Sequence, residues 1–352
     1  MKDGIKRLSG LKNIGIAFIC CYLHFITEVL CFYYLTKATR GVLNAWMIPF
    51  VYDGLAFVPQ GIIGYAADKR PGLALSIPGF MLMLVSLSVF GFTSVNIYVS
   101  LILMCLGNAL VHVDGAEATL KNSFGKLSHS AIFVSGGSFG VITGRVLALY
   151  DVPVWFVLLM GISAAPFIAA SFGYKGTKVA EAEGFDYVRT GIYPLFAAAA
   201  AVAVVIIRGY MGYGIPTSWN KTLIQSVYMF VIMGLGKALG GILSDAFGIR
   251  KVAFASTLLA IPFLCLGDGY MFVSLIGVMF FSMTMSVTLA ILVSVMSDSP
   301  GLAFGLTTIG LFLGTAPIFF VRLARGADIA FISVMSAVCS LLLTLVLKEP
   351  ET

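Results

Sequence analysis

The sequence predicts an all-α polytopic membrane protein with twelve transmembrane helices in two pseudo-symmetric six-helix bundles. Three observations carry that prediction. The 352-residue chain is 59% hydrophobic and 11% charged, where a water-soluble domain carries about 25% charge. Its mean hydropathy is +1.01. Its apolar runs recur at the length of a bilayer crossing, about 20 residues each, so twelve would use about 240 residues and leave room for short loops only. A soluble enzyme, a disordered chain and a nucleic-acid binder are disfavoured together.

The first six spans are read at 14–35, 43–65, 73–92, 97–118, 129–150 and 153–174. The second six are read at 191–212, 222–243, 252–266, 271–296, 302–322 and 329–347. The first run is too long for a signal-peptide core and no small-residue cleavage site follows it, so it is expected to stay as span 1. The polar stretch KGTKVAEAEGFDYVRT divides the chain into an N-terminal bundle (1–174), a cytoplasmic linker (175–190) and a C-terminal bundle (191–352). Fourteen cations fall on the side of the N-terminus and five on the other. The positive-inside rule therefore puts both termini in the cytoplasm of a plasma (inner) membrane.

All six cysteines lie within apolar runs, with no CxxC pair and no Cys/His cluster at metal-ligand spacing, so they read as small buried hydrophobes. No metal, no cofactor and no nucleic acid is expected, and the chain is read as a monomer. The expected partners are the lipid bilayer, a small-molecule substrate and protons. There is no phosphate-binding G-x-x-x-x-G-K-[ST] loop for an ATP-driven pump and no HExxH for a zinc hydrolase, and no soluble signalling domain fits in the loops.

The loop after span 2, GIIGYAADKRPG, and the loop after span 8, GGILSDAFGIRK, share small residues, an aspartate and two cations. Two copies half a chain apart imply two repeats with a substrate path between them. Both resemble the signature loop of the major facilitator superfamily, G-x-x-x-D-x-x-G-x-R-K. The second matches at Gly241, Asp245, Gly248, Arg250 and Lys251, and the first keeps Gly64, Asp68, Lys69 and Arg70. The resemblance covers the whole chain and makes these the expected gating loops. HFITE, PQGIIGYAAD, GNALVHVDG, FVSGGSFG and RGYMGYGIP further resemble fosmidomycin-resistance-type transporters, which implies proton-coupled export of a small, often anionic, compound. The chain departs from that branch at Gly144-Arg145, where the pattern has Gly-Pro, at Val113 for Pro, and at Lys237 in a glycine-rich span. Efflux by proton antiport is the preferred expectation. Uptake of a small organic anion by proton symport or facilitated diffusion is the alternative.

A charged group at mid-bilayer costs about 3 kcal/mol on insertion scales, so each intramembrane charge calls for a reason. His24 and Glu28, four apart on one face of span 1, read as a proton site or as a hydrogen-bonded pair that positions the helix. A carboxyl in a partly dry cavity can take and release a proton near neutral pH. Asp53 in span 2 is the second such group or a structural hydrogen-bonding residue. Asn108 and His112 share a face of span 4 assigned to the central cavity, while Asp114 and Glu117 are read as gating or structural, Glu117 pairing with Lys121. Arg145, Arg208 and Lys237 are the candidate anion-binding cations. Their structural readings are a salt bridge from Arg145 to an acid of span 1 or 2, and Lys237 reaching the cytoplasmic surface. Tyr33, Tyr34, Trp46, Trp155 and Trp219 are expected in an interfacial aromatic belt.

Overall fold

The computed structural model describes residues 2–70, 72–93, 96–175, 184–321 and 325–348. Twelve helical crossings are found among them. They are α1 (Lys2–Ala38), α2 (Met47–Asp68), α3 (Ser76–Phe92), α4 (Ile97–Lys121), α5 (Leu127–Leu149), α6 (Val154–Tyr174), α7 (Pro194–Gly214), α8 (Leu223–Phe247), α9 (Ile249–Leu266), α10 (Met271–Val295), α11 (Pro300–Thr315) and α12 (Arg325–Val346). Eleven are long and apolar enough to cross a bilayer; α3, at 17 residues, is shorter. The predicted spans match these apart from shifts at their ends. The terminal signals read as expected: Asn96 caps α4 through Tyr98 N (2.9 Å), Thr222 and Gln225 form a capping box on α8, and Pro194 opens α7.

Three crossings are broken inside. α2 bends at Val58-Pro59, where proline removes a donor, α6 breaks at Ser163-Ala164, and α10 breaks at Met283-Thr284. Backbone groups freed in an apolar slab must be satisfied by neighbouring side chains. The Ser163 hydroxyl bonds Met160 O and Tyr22 OH.

Glycine rows set the helix contacts. Gly136, Gly140 and Gly144, one turn apart on α5, lie against the α1 backbone at Cys21, Phe25 and Val29, where any side chain would collide. Two further seams join α1–α6 to α7–α12. Along one, Gly61 and Gly64 of α2 meet Gly305 and Gly301 of α11 backbone to backbone. Along the other, Gly241 of α8 meets Leu127 and Ala131 of α5, and Gly234 meets Phe139.

Both seams are locked at the same end by the two signature aspartates. Asp68 accepts hydrogen bonds from Gly301 N (2.9 Å) and Leu302 N (2.8 Å) at the start of α11. Asp245 accepts from Leu127 N (2.8 Å) and Ser128 N (3.0 Å) at the start of α5. Each carboxylate satisfies two orphan donors and sits on the positive end of a helix dipole. Gly248, at φ 94°, makes the left-handed turn from α8 to α9 that other residues rarely adopt. Lys69, Arg70 and Lys251 are exposed on these loops, with Lys69 5.4 Å from the Tyr65 ring, and Arg250 is half-buried. Pro71 lies outside the described residues.

Residues 176–183 of the expected linker also lie outside the described residues. The remainder is tied to the locked end: Tyr187 OH bonds Gly125 O, Tyr187 N bonds Ser294 Oγ (3.2 Å), and Lys348 N bonds Tyr187 O (2.9 Å). Burial, with Asp245 nearby, pushes the Tyr187 phenol up to about 12. At the opposite end Lys37 of α1 and Arg40 in the turn after it converge on exposed Asp151, and hydrogen bonds from both cations hold its carboxyl below the usual range.

Replacing either lock aspartate by alanine leaves two helix donors unpaired and is expected to weaken closure by about 1–2 kcal/mol. A cysteine placed at Ser128 or Leu302 should then label faster with a water-soluble thiol reagent. The Asp151 strap should withstand mild acid and open only below the ordinary carboxylate range, because a lowered folded-state value is lost as pH falls through it. Accessibility of a Tyr150→Cys probe against pH reports that opening.

Candidate functional site: a charged cluster at the seam

Midway along α1, His24 and Glu28 stand one turn apart on a face turned toward α4. There they meet His112 and Asn108, again one turn apart. His24 Nε2 lies 2.9 Å from His112 Nε2, and Glu28 Oε1 lies 3.3 Å from His112 Nε2 and 3.8 Å from His24 Nε2. Asn108 Nδ2 reaches Glu28 Oε1 at 3.5 Å, Cys31 Sγ at 3.4 Å and Tyr52 OH at 2.9 Å. All of these side chains are buried. The second ring nitrogens are anchored: His24 Nδ1 to Phe133 O of α5 (2.9 Å), His112 Nδ1 to Asn108 O (3.0 Å). Gly137 makes room for the His24 ring. Asn108 and His112, expected to face the central cavity, thus form one unit with the His24/Glu28 pair of α1.

Three charged groups lie along the two seams without a hydrogen bond or ion pair among the described residues. Asp53 of α2 is half-buried and in electrostatic reach of Glu28. Lys237 of α8 is on the helix face that carries Gly234 and Gly241, hence turned to α5, and is in electrostatic reach of both Glu28 and His24. It is placed within reach of the α1 cluster rather than at the surface. Among the described residues, Arg145 of α5 makes no salt bridge to an acid of α1 or α2. Its guanidinium lies 5.9 Å from the Phe230 ring of α8, and Tyr213 of α7 feels both Arg145 and Asp53.

Arg208 is placed differently from expectation. Its guanidinium donates to Phe281 O and Thr284 Oγ1 and lies 4.2 Å from the Phe281 ring centroid. It therefore satisfies the backbone freed by the break in α10, beside a small cavity lined by Met211, Thr257, Ser336 and Cys339 within the last six helices. A cation spent this way is a structural staple.

Other readings sort out similarly. Glu117 pairs with Lys121 as expected. Asp114 accepts from Leu75 N (3.2 Å), Ser76 N (3.1 Å) and Ser76 Oγ, capping α3 just beyond the first signature loop. Trp46 and Trp155 are exposed, but Tyr33, Tyr34 and Trp219 are buried, so they do not belong to an aromatic belt. Tyr33 OH donates to Val152 O (2.6 Å) and Tyr34 OH to Ile97 O (2.9 Å), tying α1 to two loop ends. Phe50, Phe312, Phe319, Phe320 and Trp46 form an aromatic cluster between α2 and α11 at the end opposite the aspartate locks.

Searched for relatives, the chain matches no family model. It is 25% identical over 322 residues to the uncharacterized MFS-type transporter YfnC of Bacillus subtilis (strain 168), across 81% of this chain and 78% of that one. Among solved structures it resembles the human organic anion transporter MFSD10 (TETRAN), with TM-score 0.59 and 12% identity over 94% of this chain and 98% of the other. It resembles the E. coli fucose:proton symporter FucP with TM-score 0.61 and 14% identity over 94% and 97%. The chain has the major facilitator fold. FucP in its outward conformation matches as well, at TM-score 0.57. The α2/α11 and α5/α8 seams join the first six helices to the last six, and Lys237, Arg145 and Asp53 lie on helices of these seams. These relatives are membrane transporters, not enzymes.

The staple on α10 is testable. Arg208→Lys cannot bond both partners in the plane of a fork and is expected to lower thermal stability by about 2 kcal/mol, while a cleft residue such as Arg145→Lys should leave the unfolding midpoint nearly unchanged. Differential scanning fluorimetry in detergent distinguishes the two.

Proposed function

We propose that the protein is a major facilitator-type secondary transporter, of the fosmidomycin-resistance-type branch, that exports a small anionic or zwitterionic organic compound in exchange for protons by alternating access. The observation that carries this reading is the placement of Asp53, Lys237 and Arg145. All three lie on the bundle seams, none has a hydrogen-bond or ion-pair partner among the described residues, and both signs are present. Charges buried in an apolar slab without partners mark a path for substrate or ion. Lys237 and Arg145 suit the substrate's anionic group. Asp53, free of hydrogen bonds, is assigned the travelling proton; His24 and Glu28 stand behind it in their cluster with His112. The excess of cations at the aspartate-lock end supports a cytoplasmic position for that end and for both termini, in a plasma-membrane monomer.

Closure at one end by Asp68 and Asp245, each bonded to a helix of the opposite bundle, supports alternating access, since four of the hydrogen bonds across the seams sit together at that end. Uptake by symport is the second reading, favoured by Arg145 standing where the exchanger pattern has proline.

Proteoliposomes with an imposed pH gradient decide direction and coupling, with fosmidomycin as the first probe. Antiport moves the probe against the proton flow and symport moves it with that flow. Asp53→Asn is expected to abolish gradient-driven movement while leaving probe counterflow intact. Unchanged gradient-driven movement in that variant would overturn the assignment of Asp53.

A further inference from the structure

The His24–Glu28–His112 cluster has a feature that the transport reading does not use. A carbonyl oxygen only accepts, so the bonds to Phe133 O and Asn108 O require that His24 Nδ1 and His112 Nδ1 each carry the ring hydrogen. Both Nε2 atoms then present lone pairs. They face each other at 2.9 Å, with a Glu28 oxygen 3.3 and 3.8 Å away. Three electron-rich atoms this close, buried in the protein, repel one another unless a cation lies among them.

We propose that His24 Nε2, His112 Nε2 and a Glu28 carboxylate oxygen form a three-ligand site for a divalent transition-metal ion of the zinc class. The donor set is two imidazoles and one carboxylate, all borderline ligands suited to such ions. Zinc bonds of about 2.0–2.1 Å place tetrahedral donors roughly 3.3 Å apart, and the three observed separations straddle that value. Anchoring of each Nδ1–H on a backbone carbonyl is the arrangement that orients metal-binding imidazoles and sets their tautomer. A second, independent observation comes from Asn108: its amide touches Glu28, yet its buried Oδ1 has no hydrogen-bond partner. That leaves an acceptor over for the ion or for a water bound to it.

The surroundings are electrostatically mixed. Asp53 lies in reach of Glu28 and favours a dication, Lys237 opposes it, and Cys31 and Tyr52 are reached through Asn108. His24, Glu28 and His112 keep 9%, 6% and 6% of their surfaces exposed, so the ligands are not sealed. The spacing of these residues along the chain shows no metal signature, because the ligands come from α1 and α4 and meet only in the fold.

The test uses the full chain, stripped with a chelator and held in detergent micelles, with zinc chloride as the ligand and cobalt(II) as a coloured probe. Wild type is expected to retain one zinc per chain after desalting and to show visible cobalt absorption that zinc displaces. His112→Ala and Glu28→Gln should bind zinc more than about 100-fold more weakly, since losing outer partners of a metal site alone costs roughly 10–100-fold. His129→Ala, which alters the remaining histidine, should bind as wild type does. X-ray absorption of zinc-loaded wild type should show imidazole scattering, a readout that does not depend on whether the variants fold. Zinc binding that is absent in wild type, or unchanged by both ligand variants, would mean that the pocket holds a proton alone and would overturn the proposal. Asp53→Asn should keep its zinc while losing proton-driven transport, so the failure of one reading is separable from the failure of the other.

Discussion

In an apolar slab, a polar group that has no water must find its partner inside the protein, and most of this architecture follows from that demand. The breaks in α6 and α10 expose carbonyls, and the chain answers with a serine hydroxyl in one case and with the Arg208 fork in the other. The starts of α3, α5 and α11 expose amide donors, and each receives an aspartate: Asp114, Asp245 and Asp68. Three carboxylates that would be costly in lipid become anchors because each meets two N–H groups and a favourable dipole.

The same demand explains why the seams can open. Along α2/α11 and α5/α8 the contacts are glycine against backbone, which bring the helices close without interlocking large side chains. Directional bonds concentrate at one end, in the two aspartate locks, and an aromatic cluster at the other end joins α2 to α11 through apolar contact. A seam held this way has few bonds to break: besides the aspartate locks, Thr308 Oγ1 of α11 donates to Phe57 O at the bend of α2 (3.1 Å).

What the fold leaves unpaired is then informative. Lys237, Asp53 and Arg145 have no hydrogen-bond or ion-pair partner among the described residues, and all three lie along the α2/α11 and α5/α8 seams. The histidine pair has the opposite character. Its outer nitrogens are over-determined by backbone carbonyls and its inner ones confront each other, so the cluster is built around a position rather than a bond. Mobile charges at the seam and a rigid triad behind it divide the interior into a part that exchanges partners and a part that holds one.

From the sequence alone one could read the number of crossings, the repeat with Asp68 and Asp245, and the i,i+4 pairs His24/Glu28 and Glu117/Lys121. These are local facts: periodicity, length and spacing along a helix. The roles of Arg208, Tyr33, Tyr34 and Trp219 were not legible, because whether a polar side chain in an apolar run serves a broken helix, a loop end or a cleft depends on the rotation of that helix against its neighbours. Nor could the meeting of His24 with His112, 88 residues apart, be read from either segment. Hydropathy and repeat settled what must lie in the membrane; only tertiary packing decided which buried polar groups satisfy one another and which are left to bind something else.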